Sequence, residues 1–280
     1  PESSRVAQLA SGGRKGLAQS IFQVGGNAGS AMGPLLAALI VIPFGQVSIG
    51  WFALAALLAI FILVKIGHWY RWQLAAAARK SAVAAVTAAH GLSKRKIRTA
   101  FVILGVLVFS KYFYIASMTN YFTFFLMDKF AVSVQGAQYC LFAFLAASAA
   151  GTFIGGPLGD RIGRKYVIWG SILGAAPFTL MLPYVGLVWT IALAVVIGLV
   201  ISSAFSAILV YATDLMPGKV GMIAGVFFGL MFGLGGLGSA FFGWLADRTS
   251  IEFIFQISTL LPLLGVITGF LPDVESRKVR

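Results

Sequence analysis

Of 280 residues, 59% are hydrophobic and only 10% are charged, a balance that excludes a water-soluble domain and fits helices immersed in lipid. The formal charge of +13 does not make the chain a nucleic-acid binder, because its basic residues lie between apolar runs instead of on one folded face. The lone cysteine, Cys140, sits inside an apolar run and forms no internal disulfide.

Eight apolar runs are each long enough to cross about 30 Å of hydrocarbon. They cover residues 17–42, 48–66, 100–127, 135–157, 166–184, 187–212, 221–245 and 252–271, which predicts an all-α polytopic membrane protein. Ahead of the first run stand Glu2 and Arg5, and Glu2 is the one nearby carboxylate able to carry a proton within the membrane.

The first run carries Gln19, Gln23, Asn27 and Ser30 at helical spacing, a polar stripe expected to face a water-filled path. Beside it, Gly25, Gly29 and Gly33 form a ridge of small residues that lets two helices approach closely. Residues 67–98 form the one long hydrophilic stretch, basic and rich in Ala. Two readings stay open for it, a helix lying on the anionic inner surface and a tether.

In the run 100–127, Lys111 lies about eleven residues deep, near 16 Å at 1.5 Å per residue, where an ammonium needs a partner. A carboxylate from elsewhere in the protein or an anionic substrate satisfies that need. Tyr114, Met118 and Tyr121 are placed on the same helical face. The next run holds a second ridge, Ala143, Ala147, Gly151 and Gly155, expected to meet the ridge of the first run; a third follows at Gly221, Gly225, Gly229 and Gly233.

Alternate connections are basic: 18 of the 21 Lys and Arg residues fall in one set of loops, against Lys129 and Arg248 in the other, so both ends of the chain are expected in the cytoplasm. A weak internal repeat sets the stretch from Leu9 beside that from Leu215, Gly16 over Gly221 and Gly33 over Gly238. Four runs precede the second copy and almost nothing precedes the first, which implies about 110 residues upstream holding three spans and most of a fourth.

The decapeptide Gly156 to Lys165, G-P-L-G-D-R-I-G-R-K, joins two of these runs. Its glycines are expected to allow a tight turn, with Arg161, Arg164 and Lys165 at the wet interface. Asp160 is expected against the start of the first run, near Gly16 to Gln19.

The match at Gly156, Leu158, Asp160, Arg161, Gly163, Arg164 and Lys165 resembles the loop motif of the major facilitator superfamily. The resemblance implies twelve spans in two six-helix halves, with about eight present here. Residues 1–66 then belong to the N-terminal half, 67–98 to the linker, 99–272 to the C-terminal half and 273–280 to a tail. It also implies that the loop latches the halves together.

Gly29, Gly33 and Pro34, followed by Ala37 and Ala38, resemble the fifth-span motif of drug:proton antiporters, with alanines for its last two glycines. Segments such as P-E-S-S-R-V-A, F-S-K-Y-F-Y and S-A-F-S-A-I-L-V-Y-A resemble the bacterial fosmidomycin-resistance efflux proteins. That implies an inner-membrane, monomeric antiporter exporting an anionic phosphonate against protons, without metal or cofactor. Lys111, Tyr114, Tyr121, Gln23 and Asn27 are then the candidate substrate residues. An uptake carrier for an organic phosphate would use the same basic pocket, and an enzyme is disfavoured because no run pairs catalytic groups.

Overall fold

The structure, a computed structural model, describes residue 6 and residues 14–80, 93–216 and 219–272. Glu2 and Arg5, the middle of the linker and the tail lie outside the described residues. Within them the chain is helical without a strand, and eight stretches are long and apolar enough to cross a membrane.

The first span is α1 (Lys15–Leu36), which continues through a wider turn at Ala37–Val41 into a short helical turn, Ile42–Phe44. Pro34 supplies no N–H to the ladder, and the widened turn follows within one helical turn of it. Gly45, at φ +82°, then reverses the chain in a conformation that favours glycine. After a 3-10 segment (Gln46–Trp51), α2 (Phe52–Lys80) runs without interruption past Gly67, so the first half of the linker extends a membrane helix. The principal contacts of α2 are with the turn before it, and its Leu54, Leu57, Leu58 and Phe61 are exposed.

The remaining helices are α3 (Lys94–Phe130), α4 (Val134–Ile162), α5 (Arg164–Met181), α6 (Leu187–Ser202), α7 (Ala204–Leu215), α8 (Val220–Ala246) and α9 (Ile251–Ser258), with a 3-10 segment, Leu261–Phe270, completing the last span. Serines start three of them. Ser93, Ser133 and Ser250 accept hydrogen bonds from the backbone N–H of Lys96, Gly136 and Phe253, satisfying donors that the first turn leaves orphaned. That cap is why α3 begins six residues before the apolar run that announces it.

Helix α1 packs along α4, α4 against α6, α3 against α8, and α5 against α6, α7 and the final 3-10 segment. Two apolar clusters result. One gathers Leu104, Leu107 and Val108 of α3 with Phe205, Ile208 and Phe227; the other gathers Tyr114, Met118, Phe122 and Phe125 with Phe144, Ile197 and Phe255. Ser110 and Lys111 occupy α3 between the two.

The span 187–215 is broken at Ser203, dividing α6 from α7. Hydroxyls gather at the carbonyls there: Ser171 Oγ lies 2.6 and 3.0 Å from the Val200 and Ile201 oxygens, and the Val200 oxygen also accepts from Ser203 Oγ at 2.8 Å. A broken helix persists in lipid only where neighbours replace its lost bonds in this way. At the end opposite the basic loops, Lys129 donates to the Pro183 carbonyl and to Glu252, tying α3, the α5–α6 connection and α9 together.

Two expectations about glycine need correction. The ridges of α1 and α4 do not meet: a Cβ at Gly25, Gly29 or Gly33 would find open space, whereas one at Gly151 or Gly155 would strike the backbone of Leu199 or Ser203, within the C-terminal half. The face that α1 turns to α4 is instead Gly16, Ser20, Asn27, Ala31 and Ala38, which repeats at helical spacing. The motif glycines are not all turn residues either. Gly156 and Gly159 lie within α4, and Gly163 alone, at φ +100°, makes the turn into α5.

Candidate functional site

Lys111 is almost fully buried, at 2% exposure, with Nζ 5.4 Å from the Tyr112 ring and 5.6 Å from that of Phe205. Ring faces attract a cation but do not replace the hydrogen bonds it loses on leaving water. Among the described residues it has no hydrogen bond or ion pair.

The ammonium borders a cavity of about 390 Å³ between α1 and the helices α3, α4 and α8. From α1 it is lined by Gln23, Asn27 and Ser30, from α4 by Ser148 and Thr152, and from the helix break by Ser202 and Phe205. Helix α3 contributes Tyr112, Ile115, Ala116, Thr119 and Asn120 beside Lys111, and α8 contributes Met231, Phe232 and Ser239. Among the described residues no carboxylate joins this lining.

The sequence places Gln23, Asn27 and Lys111 together, and so does the structure. Tyr114 and Tyr121 are set apart. Tyr114 is sealed in the second apolar cluster, where its hydroxyl has no hydrogen-bond partner among the described residues, and Tyr121 donates to the Ser239 carbonyl at 2.6 Å. The reason is angular. At 100° per residue the cavity face of α3 centres near residues 112 and 119, with Lys111 on its flank, so Tyr114 and Met118 turn away while the long Lys111 stem reaches back. Tyr112, Asn120, Thr152 and Ser239 escaped the sequence reading, although Asn120 and Thr152 are polar residues inside apolar runs, the signal that found Asn27.

Asn27 ties α1 to α4 at the wall of this cavity. Its Nδ2 donates to Thr152 Oγ1 at 2.7 Å, and Thr152 donates in turn to the Ser148 carbonyl at 2.9 Å. Near the end of the same helix pair away from the basic loops, Gln135 Nε2 donates to the carbonyl of Ala38 inside the widened turn, at 3.1 Å. Gly29, Gly33 and Pro34 lie on α1 between these two contacts; Gly29 and Gly33 are exposed.

The basic end holds the motif. Asp160 Oδ2 accepts from the Leu17 backbone N–H at 3.2 Å, at the start of α1, where a carboxylate is favoured by the helix dipole. Gly16 makes that approach possible, since a Cβ there would come within 2.6 Å of Asp160 Oδ1 and the Gly156 carbonyl. Arg164 pairs with Asp160 at 3.4 Å and with Asp214, a buried carboxylate at the end of α7. It lines, with Arg14, Asp160 and Arg161, a groove at this end of the molecule. Lys165 Nζ donates to the Leu271 and Gly269 carbonyls at 2.6 and 3.3 Å, capping the last span, while Arg161 lines an open groove with Arg14.

Spanning helices around a polar central cavity, with a charged contact across two helix groups, define a polytopic membrane carrier. The chain belongs to the major facilitator superfamily, whose family model (Major Facilitator Superfamily) matches residues 112–280. It is 60% identical over 273 residues to the Fosmidomycin resistance protein of Escherichia coli (strain K12), an alignment covering 98% of this chain and 66% of that protein. It is 43% identical to the Uncharacterized MFS-type transporter YfnC of Bacillus subtilis (strain 168), with 98% and 67% covered. The chain thus spans about two thirds of the length of these relatives.

Proposed function

We propose that this protein exports small anionic drugs of the fosmidomycin type across the bacterial plasma membrane, in exchange for protons, by alternating access. The observation that carries the reading is Lys111, a buried ammonium with no carboxylate partner among the described residues, at the wall of a cavity between the halves. A phosphonate or similar anion supplies the oxygens that this ammonium lacks, and charge-assisted hydrogen bonds of that kind are the strong ones. Gln23 and Asn27 bind the cargo's polar groups from the facing helix. The 60% identity to a fosmidomycin resistance protein supports the choice of cargo.

Export begins with the cavity open to the cytoplasm. Closure brings Asp160 to the start of α1 and seats Gly156 against Gly16, so the motif acts as a latch on the inner face. Protonation elsewhere in the protein, with Glu2 a candidate carrier, competes with cargo and resets the cycle. The test is survival of drug-sensitive bacteria expressing the complete reading frame. Lys111→Ala should abolish fosmidomycin resistance at unchanged membrane abundance; retained resistance would overturn the anion site. Flux in vesicles with an imposed pH gradient then separates export from uptake of an organic phosphate.

A further inference from the structure

We propose that the cavity reads cargo at two poles, with Lys111 holding the anionic head and Asn120 accepting a hydrogen bond from a donor at the opposite end, so the preferred substrates are short anions carrying a terminal hydroxyl or N–H. This rests on the anion-binding reading of Lys111. The two residues are nine positions apart on α3, about 13 Å along the axis at 1.5 Å per residue, and they flank one cavity face from opposite sides.

Asn120 is held in one orientation. Its Nδ2 donates to the Ala116 carbonyl and to Ser239 Oγ, each at 2.9 Å. A carbonyl can only accept, and Ser239 Oγ spends its proton on the Gly235 carbonyl at 2.9 Å, so neither partner suits a flipped amide. Both amide hydrogens are thereby used. The oxygen Oδ1 is left with no partner among the described residues, on an exposed side chain of the cavity wall. An acceptor fixed in this way favours a ligand N–H or O–H and leaves an apolar tail with nothing to offer it.

Between the poles the wall is largely apolar, with Ile115, Ala116 and Phe232 beside the Thr119 hydroxyl, which suits a short hydrocarbon spacer. At about 390 Å³ the space lies at the small end of ligand pockets. A charged group at both ends is disfavoured, because nothing at the Asn120 pole carries a counter-charge among the described residues.

The test uses two probes, 3-hydroxypropylphosphonate and n-propylphosphonate, titrated calorimetrically into the purified protein in detergent. Wild type should bind the hydroxylated probe roughly three- to tenfold more tightly, the range of one net hydrogen bond. Asn120→Leu should keep the affinity for n-propylphosphonate and lose the preference. Asn120→Ser, smaller and still polar, should lose most of it too, and helicity with gel filtration confirms that either variant is folded. Equal affinities in wild type, or a preference surviving in both variants, would overturn the second pole while the anion site stood. Failure of wild type to bind either phosphonate would overturn the anion reading and this inference with it.

Discussion

Glycine at some positions of this chain, Gly16, Gly151, Gly155 and Gly156 among them, is a requirement of contact, and at others it is not. A methyl group at Gly156 would collide with the Gly16 carbonyl and the Ser20 side chain, while one at Gly29 would meet nothing. Gly156→Ala should therefore weaken the α1–α4 contact by about 1–3 kcal/mol, the usual cost of overpacking. Gly29→Ala should leave stability within about 0.5 kcal/mol of wild type. Thermal melts of the two purified variants distinguish them, and equal losses would contradict the geometry. The sequence offered no such distinction, since small residues at every fourth position look alike whether they meet a helix, a lipid or a solvent-filled space. Lys111 was legible because a charge deep in an apolar run has few explanations. Tyr114 was misread because the face was extended from Lys111 through positions 114, 118 and 121, whereas the cavity lies on the other flank of Lys111, through 112, 115 and 119.

Helices here depart from regularity where side chains stand ready to serve the exposed backbone. The break at Ser203 sets the carbonyls of Val200 and Ile201 against Ser171, and since Val200 keeps its bond from Ser203 Oγ, Ser171→Ala should destabilise the protein by about 1 kcal/mol, the net worth of one hydrogen bond. Ser206, three residues past the break, is buried with a hydroxyl that has no partner among the described residues. Ser206→Ala should be neutral or slightly stabilising, and comparing the two melting temperatures checks the pair. All eight spans could be read from hydropathy, with ends displaced by several residues where capping serines or basic first turns prolong a helix. The break itself could not be read. The run 187–212 is apolar but for Thr190, Ser202, Ser203, Ser206 and the Tyr211 hydroxyl, serines alone do not interrupt a helix, and the Ser171 that stands against the break belongs to another helix. The position of Asp160 could be read because a repeat supplied the missing partner.

Across the whole molecule the α1–α4 pair joins helices on the two sides of the linker, by hydrogen bonds at three levels: Leu17 to Asp160, Asn27 to Thr152, and Gln135 to Ala38. Alternating access requires the outer contacts to open in turn. Cysteines at positions 38 and 135, in a Cys140→Ser background and joined by a short bifunctional thiol reagent, should arrest efflux, with activity restored when a cleavable reagent is reduced. Uninterrupted efflux after complete joining would mean that this end never separates.

The spacing of these three bonds also fixes how little motion is needed. Leu17 and Ala38 are 21 residues apart, about 31 Å along a helix, and Asn27 lies close to halfway. Taken as a lever pivoting at Asn27, α1 has arms of about 15 Å, and a swing of about 10° carries each tip roughly 2.6 Å. Displacement on that scale is enough to sever a bond of 3.2 Å at one tip while the bond at the pivot survives. A pivot this near the centre gives the two faces of the membrane nearly equal strokes, so neither side needs a larger hinge than the other.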